Sequence, residues 1–356
     1  MQFPLVSIII PVYKRREMNF ESIDCALRQD YPNIEIIIGD DHSGDGSYEL
    51  ICQQYKNHKN VILFQNDVNL GAVGNWKKCF DKANGKYIKF LWSDDLMEAS
   101  YISKTVQILE LHSDIPFVMS SVKTFTDASE PEIVLDMMKN NKRMCYKIGK
   151  IEVHRKRQVY RIGYHNIYPK SFFLDGIYKK NRFMPVSPAC AIFRKEAIKI
   201  VGDIPNKVGF EHKITGAGPD LLIFLEALSS YDYFGFLDEP LSYFRNHAES
   251  ITCSNPNIYN GYLTVKLNYL LKNNLKEYFK YMDAQIVSEN FNKHIYCIRH
   301  NYQIISKYYD SKSTNGGYIN GIKLIIRIHI MTMRVKLRNW IKILGRIKYV
   351  KEIKSI

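Results

Sequence analysis

The sequence predicts an α/β fold: a Rossmann-like, mainly parallel sheet flanked by helices, followed by a helical basic C-terminal extension. Two observations carry this expectation. Four short, near-continuous apolar runs open the chain: LVSIII (5–10), IEIII (34–38), VILF (61–64) and YIKFLW (87–92). Between them lie segments that gather apolar residues on one face at helical spacing, such as Met18, Ile23, Ala26 and Leu27. Strands that are apolar on both faces and alternate with helices belong to a parallel sheet covered on both sides. At 356 residues, 46% apolar and 24% charged, the chain is long enough to bury a sizeable core.

Each element then has a consequence for the next. Right-handed crossovers bring the C-terminal ends of parallel strands to one edge of the sheet, where ligands bind in open α/β folds. The polar clusters fall at that edge: Pro11–Arg15 after the first run, Asp40–Ser47 after the second, Asn66–Asn75 after the third and Ser93–Asp95 after the fourth. From about 116 to 254 the rhythm changes, and strand-like pieces (FVMSSVKTF, PACAIF, YFGFLD) are separated by longer irregular stretches. Cations crowd 142–164, among them Arg143, Lys147, Lys150, Arg155, Lys156, Arg157 and Arg161. Residues 258–308 read as helical, and SKSTNGG (311–317) as a linker. In 321–356, Ile326, Ile330, Met333, Leu337, Trp340, Leu344 and Ile347 line one helical stripe among ten Lys and Arg and a single Glu. A basic helix with Trp in its apolar seam suits an anionic membrane surface; packing on the body of the protein, or a coiled-coil seam, is the alternative.

The formal net charge of +14 points to a polyanionic partner: nucleic acid, a membrane surface or a phosphate-bearing substrate. No helix-turn-helix, RNP-like or zinc pattern accompanies the cations, which argues against nucleic acid. No GxGxxG follows any early strand, which argues against a dinucleotide oxidoreductase. The seven cysteines (Cys25, Cys52, Cys79, Cys145, Cys190, Cys253 and Cys297) are scattered and never spaced as CxxC, so reduced thiols in a cytosolic protein are expected. The opening MQFPLVSIIIPVYKRR has no basic segment before its apolar run and does not read as a signal peptide.

Two loops carry candidate chemistry. In IIIGDDHSGDGS, consecutive carboxylates at a strand end suit base N–H groups or ribose hydroxyls, and the small residues admit a ligand to the backbone. The plainer reading is that Asp45 or Ser43 caps the next helix. In YIKFLWSDDLMEA, Asp94 and Asp95 leave the sheet as hard oxygen ligands of the kind that hold Mg²⁺ or Mn²⁺ against a diphosphate. The plainer reading there is a helix N-cap with one acid in the first turn.

In order, VSIIIPVYKR, DYPNIEIIIGDDHSGDGS and NLGAVGNWKKCFDKANGKYIKFLWSDD resemble the nucleotide-binding half of glycosyltransferase family 2 across residues 6–95. The resemblance implies a GT-A fold, a nucleoside-diphosphate sugar donor (a UDP-sugar favoured), a divalent metal (Mn²⁺ or Mg²⁺) and inversion at the anomeric carbon. By it, Pro11, Tyr13 and Arg15 shape the base pocket and Asp40 reads the base. Asp41, Asn69, Gly71 and Asn75 join them at the nucleotide. Asp94 and Asp95 match the D-x-D region, with Trp92 where the first Asp often stands, so either acid is a candidate metal ligand.

Weaker similarities continue beyond. MPVSPACAIFRKEAI (184–198) resembles the acceptor-side strand. GAGPDLLIFLEAL (216–228) resembles the segment that supplies the general base, which maps to Asp220; Pro219 replaces a second acid often found there. Without the resemblance, Asp220 is a first-turn helix residue after Pro. LDEPLSYFRNHAESIT (237–252) is similar to the late strand where Arg245 approaches the diphosphate and His247 completes the metal shell or touches the phosphate.

The expected organisation is a nucleotide-sugar-binding half (1–115), an acceptor-binding half (116–254), a helical extension (255–318) and a basic amphipathic tail (319–356). A mobile loop at 204–219 is expected to close over the site. The expected function is sugar transfer to a glycan or an undecaprenyl-diphosphate-linked acceptor in bacterial surface polysaccharide synthesis. The place would be the cytoplasmic face of the membrane, held peripherally. A catalytically degenerate glycan-binding protein is the alternative, kept by the missing acids at Trp92 and Pro219.

Overall fold

The computed structural model describes residues 3–15, 17–126, 145–146, 160–162, 165–179, 187–198, 218–247, 250, 258–279 and 281–282. The cations Arg143, Lys147, Lys150, Arg155, Lys156 and Arg157, the loop 204–217, the linker 311–317 and the tail 321–356 lie outside them. The chain divides into two compact units, Met1–Tyr262 and Leu263–Ile356.

The first unit is built on the four apolar runs. They form β1 (Val6–Val12), β2 (Ile34–Asp40), β3 (Val61–Gln65) and β4 (Tyr87–Phe90), all parallel, in the order β3-β2-β1-β4. Helices α1 (Met18–Leu27), α2 (Ser47–Tyr55) and α3 (Gly71–Lys82) follow β1, β2 and β3. Val6, Ile8, Ile9, Ile10 and Val12 are all fully buried, as strands covered on both faces require. Each such side chain removed from water contributes about 2 kcal/mol, offset by the entropy of ordering it.

Beyond β4 the sheet continues through β10 (Ala191–Arg194), β6 (Phe117–Thr126), β11 (Tyr233–Asn246), β9 (His165–Pro169) and β8 (Tyr160–Ile162). β10 runs antiparallel to both neighbours, which leaves β6 and β11 parallel to the first four strands. Two short strands lie off this path: β5 (Leu96–Met97) on β11 and β7 (Cys145–Tyr146) on β6. Helix α4 (Tyr101–Leu111) follows β5, α5 (Lys170–Lys179) follows β9, and α6 (Pro219–Ala227) precedes β11. Phe117, Phe173, Phe193, Phe224 and Phe234 join β6, α5, β10, α6 and β11 in one aromatic cluster, with ring centroids 5.1–6.2 Å apart. Helix α7 (Ile258–Lys272) starts in the first unit and continues into the second, where a 3₁₀ turn follows at Lys276–Tyr278.

β11 positions the site. Its first part pairs antiparallel with β9, the register with β6 then slips between Leu237 and Ser242, and its second part pairs antiparallel with β5. Pro240 sits at the slip, where a residue without an N–H is tolerated. Because Ser242 faces Met97 and Tyr243 faces Leu96, the chain beyond Tyr243 runs alongside Asp95 and Asp94. The helix anticipated directly after Asp95 is therefore displaced by β5, and α4 begins only at Tyr101. Neither acid caps a helix.

Candidate active site

The loops after β1 and β2 form one wall. Lys14 (φ 50°), Arg15 (φ 108°) and His42 (φ 57°) have positive φ, a conformation that disfavours a side chain by about 1 kcal/mol or more. Cross-loop bonds hold it: the Lys14 N–H donates to Ser43 Oγ at 2.8 Å, and the Asp41 N–H to the Val12 carbonyl at 2.9 Å. Pro11 is the sixth residue of β1, and Tyr13 just beyond is 45% exposed with Lys14 Nζ 5.2 Å from its ring centroid.

Asp40 is fully buried; Oδ2 accepts the Ser43 N–H at 3.0 Å and Gln65 Nε2 at 2.9 Å, and Oδ1 accepts the Ser43 hydroxyl. Asp41 Oδ1 accepts Asn66 Nδ2 at 2.9 Å and the Leu70 N–H at 2.8 Å. Asn75, on α3, donates to the Gly39 carbonyl at 2.8 Å and accepts from Asn66 at 3.1 Å, so it pins the ends of β2 and β3 together. Asn69 donates to the Asp41 carbonyl at 3.2 Å and accepts the N–H of Gly71 at 3.0 Å. Gly71 opens α3 at φ 75°, where only glycine is unstrained. Asp45 accepts the Ser47 N–H at 3.0 Å at the start of α2, while Ser43 bonds Asp40 instead of capping. The structure thus brings all of these residues to one strand edge, with Asp41, Asn69 and Asn75 bonded into its framework.

The other wall is a tight turn in which the Asp95 N–H donates to the Trp92 carbonyl at 3.0 Å. Asp94 Oδ2 lies 3.0 Å from His247 Nε2 and is ion-paired with Arg15. Three segments remote in sequence thus converge on one carboxylate. Burial acts to raise the Asp94 pKa, but the His247 hydrogen bond and the Arg15 charge outweigh it and hold the carboxyl below its ordinary range. Among the described residues, His247 Nδ1 is buried without a hydrogen-bond partner.

Asp95 differs. Its Oδ1 accepts the Arg245 N–H at 3.1 Å, and its carbonyl accepts the Ser22 hydroxyl at 2.8 Å. Burial, then the neighbouring Asp94 charge, push its carboxyl well above the ordinary range against the Arg245 bond. Arg245 is buried beneath the turn: Nε donates to the Asp94 carbonyl at 3.0 Å, Nη2 pairs with Glu21, and the guanidinium lies 4.8 Å from the Phe125 centroid. Its charge faces α1 and the turn.

A divalent cation is tested by these donors. Among the described residues no three acids, imidazoles or thiols converge as a closed cage. Asp94 and His247 nevertheless present an oxygen and a nitrogen at one point, and one or two protein ligands suffice where phosphate oxygens complete the shell. The pair fits such an ion, whereas Asp95 gives its Oδ1 to the Arg245 N–H.

Trp92 extends the wall in a way the motif did not anticipate. Its indole stacks on Trp76 of α3 (centroids 4.7 Å apart, 25° between planes) and Nε1 donates to Ser187 Oγ at 2.8 Å. The two tryptophans, each next to a motif residue, were the available signal. Lys89 also escaped the motif reading: it is fully buried, its Nζ bonds the Ala189 carbonyl and lies 3.8 Å from the Tyr101 centroid. Asp220 stands in the first turn of α6, where Oδ1 accepts the N–H groups of Gly218 (2.8 Å) and Leu221 (2.7 Å) and Oδ2 accepts the Tyr262 hydroxyl (2.5 Å). Burial raises its carboxyl to about 7 against these three bonds.

The family model described as Glycosyl transferase family 2 matches residues 7–202, more than half of the chain. An uncharacterized glycosyltransferase of Haemophilus influenzae is 38% identical over 109 residues, 31% of this chain and 44% of that protein. The Escherichia coli UDP-Glc:alpha-D-GlcNAc-diphosphoundecaprenol beta-1,3-glucosyltransferase WfaP is 38% identical over 106 residues, 30% of this chain and 41% of WfaP. The matched stretch spans less than half of either relative. In fold, the chain is similar to S. aureus TarS 1–349, solved in complex with UDP-GlcNAc: TM-score 0.61, 15% identity, 93% of this chain and 91% of that one covered. A mixed α/β sheet flanked by helices, a carboxylate turn at its ligand edge and a family match over more than half its length place this chain in glycosyltransferase family 2.

Proposed function

We propose that the protein transfers a sugar, with inversion, from a nucleoside-diphosphate donor to a hydroxyl of a glycan or an undecaprenyl-diphosphate-linked acceptor, in bacterial surface polysaccharide synthesis. A UDP-sugar is the favoured donor. The observation that carries the reading is the convergence of Arg15, Asp94 and His247 at the ligand edge of the sheet. WfaP, by its name, takes UDP-Glc to a diphosphoundecaprenol-linked sugar, and TarS was solved with UDP-GlcNAc, which supports both halves of the proposal.

In this reading the nucleoside lies against Pro11, Tyr13 and the Asp40–Asp41 loop, with Asn69, Gly71 and Asn75 holding that wall in shape. Asp94 and His247 would hold Mn²⁺ or Mg²⁺, which when bound supplies positive charge to a diphosphate. Arg15 exchanges its bond with Asp94 for a phosphate oxygen, and Arg245 keeps the turn in place from beneath. Asp220 takes the proton of the acceptor hydroxyl as that oxygen bonds to the anomeric carbon. The bond from that carbon to the diphosphate oxygen breaks, and its electron pair leaves with the nucleoside diphosphate. Attack opposite the leaving group gives inversion. The protein works from the cytoplasmic face of the membrane.

Melting temperature with UDP, GDP and CDP, each with and without Mn²⁺, tests the donor half. A ligand that binds only the native state at about 100 times its Kd stabilises by about 2.7 kcal/mol, so a shift of roughly 5 °C is expected for UDP with Mn²⁺ and a much smaller one without. No shift with any nucleotide sinks the proposal in favour of a glycan-binding protein that has lost its donor site, the reading that Trp92 favours.

A further inference from the structure

The Asp220 carboxylate is held from two sides. Its own helix start supplies the Gly218 and Leu221 N–H groups to Oδ1, and α7 supplies the Tyr262 hydroxyl to Oδ2. Gly218 has φ +96°, and a Cβ there would lie 2.7 Å from the backbone of Gly261, the residue before Tyr262. Two glycine backbones therefore touch beside the carboxylate, an approach that no larger residue at Gly218 permits.

Among the described residues, the groups that act on this carboxyl are the Tyr262 hydroxyl from α7 and the backbone N–H groups of Gly218, Asp220 and Leu221; no ion pair to it occurs. Among these groups, hydrogen bonds are what favour its charged form. The two lone pairs of Oδ1 accept the two N–H groups, and one of Oδ2 accepts the phenol. One Oδ2 lone pair is left to receive a proton.

We propose that Tyr262 is a positioning residue for the base: its hydroxyl favours the charged carboxylate and directs the remaining Oδ2 lone pair, at a distance set by the Gly218–Gly261 contact. Tyr262 keeps its own proton throughout, and the proton from the acceptor goes to Oδ2. The inference rests on the reading of Asp220 as the base.

The test uses the full chain with UDP-glucose and undecaprenyl-diphosphate-linked N-acetylglucosamine as probes. UDP release is followed from pH 5.5 to 9.5, beside a ¹³C titration of the aspartate carboxyls that needs no substrate. Removing a donor to the charged form raises the carboxyl pKa, so in Tyr262→Phe the Asp220 titration and the acidic limb of kcat/KM move up by about one pH unit. At high pH the rate recovers toward wild type, which a merely structural loss does not produce. Gly218→Ala, which separates the two backbones, moves both readouts in the same direction. An unmoved titration in folded Tyr262→Phe overturns the inference. Undiminished UDP release in Asp220→Asn overturns the base assignment beneath it, and the two failures are told apart by which variant gives them.

Discussion

At Asp94 the carboxylate Oδ2 lies 3.0 Å from His247 Nε2, whereas Asp95 turns Oδ1 to the N–H of Arg245 at 3.1 Å. Adjacent in sequence, the two acids part because the turn closed by the Asp95 N–H on the Trp92 carbonyl aims successive side chains apart. Asp94 is stabilised as an anion by an arginine and a histidine; burial and its neighbour's charge discourage ionisation of Asp95. Asp94→Asn therefore removes the oxygen that suits a hard cation and weakens Mn²⁺ affinity in the presence of UDP by at least about 10-fold. Asp95→Asn can still accept the Arg245 N–H and leaves that affinity within about 2-fold, because an amide oxygen replaces a carboxyl that resists ionising. Calorimetric titration of Mn²⁺ into both variants decides it, and equal losses refute the assignment of the site to Asp94. The sequence alone could not separate the acids, since what separates them is the partner each meets some 150 positions away, Arg245 in β11 and His247 just past its end. Trp92 was visible as a departure from the family pattern, but its stack on Trp76 and its bond to Ser187 are tertiary facts.

The parallel half of the sheet was legible element by element, because a strand buried on both faces writes its own limits as an uninterrupted apolar run. The anticipated runs at 5–10, 34–38, 61–64 and 87–92 became β1 to β4 with shifts of two residues or fewer at each boundary. β11 was read only in pieces: the slip at Pro240 interrupts its alternation, and its two parts bury against different partners. α5 was missed because its buried stretch, Phe173 to Tyr178, is too continuous to show a helical face. β5 is two residues long and exists only because β11 pairs with it. Within β4 all four residues are buried, and β1 and β10 flank it, so Lys89 has no path to solvent. Burial lowers its pKa to about 7 from 10.5. Between those values the unfolded chain binds a proton that the folded chain refuses, so this residue makes stability rise with pH, and the gain is lost as pH falls toward 7. Its contribution approaches 1.4 kcal/mol per pH unit at most. Lys89→Met removes the penalty: the stability difference between variant and wild type is largest near pH 7 and shrinks by pH 10. Urea midpoints at pH 7, 8.5 and 10 measure it, and a difference independent of pH shows that Lys89 is charged in the folded protein.

Taken whole, the molecule is much less basic than its net charge suggests. Residues 321–356 hold ten Lys and Arg against one Glu, so they supply nine of the fourteen net positive charges, and the remaining 320 residues are close to balanced. That distribution argues against a polyanion spread over the body of the protein and for one met by the tail or by the cations crowded in 142–164. Among the described residues no helix is long and apolar enough to cross a membrane; under the proposed function, the tail is the segment that would meet the membrane carrying a lipid-linked acceptor. The stripe from Ile326 to Ile347, with Trp340 within it, has the spacing to lie in a headgroup region while the cations flank it. Each cation near an anionic surface contributes about 1 kcal/mol, and the attraction fades as the Debye length falls from about 10 Å at 0.1 M salt to about 3 Å at 1 M. The full chain is therefore expected to sediment with vesicles containing anionic lipid in 0.1 M NaCl, to be released largely by 1 M, and to ignore purely zwitterionic vesicles. Replacing Lys342, Arg346, Lys348 and Lys351 with Glu moves the charge of the tail by eight units and abolishes the binding, with the melting temperature under UDP and Mn²⁺ unchanged because the donor site lies elsewhere in the chain. Binding that survives both salt and charge reversal assigns the attachment to apolar insertion alone. Binding to RNA with the same salt dependence and higher affinity returns the nucleic-acid reading that the missing motifs argue against.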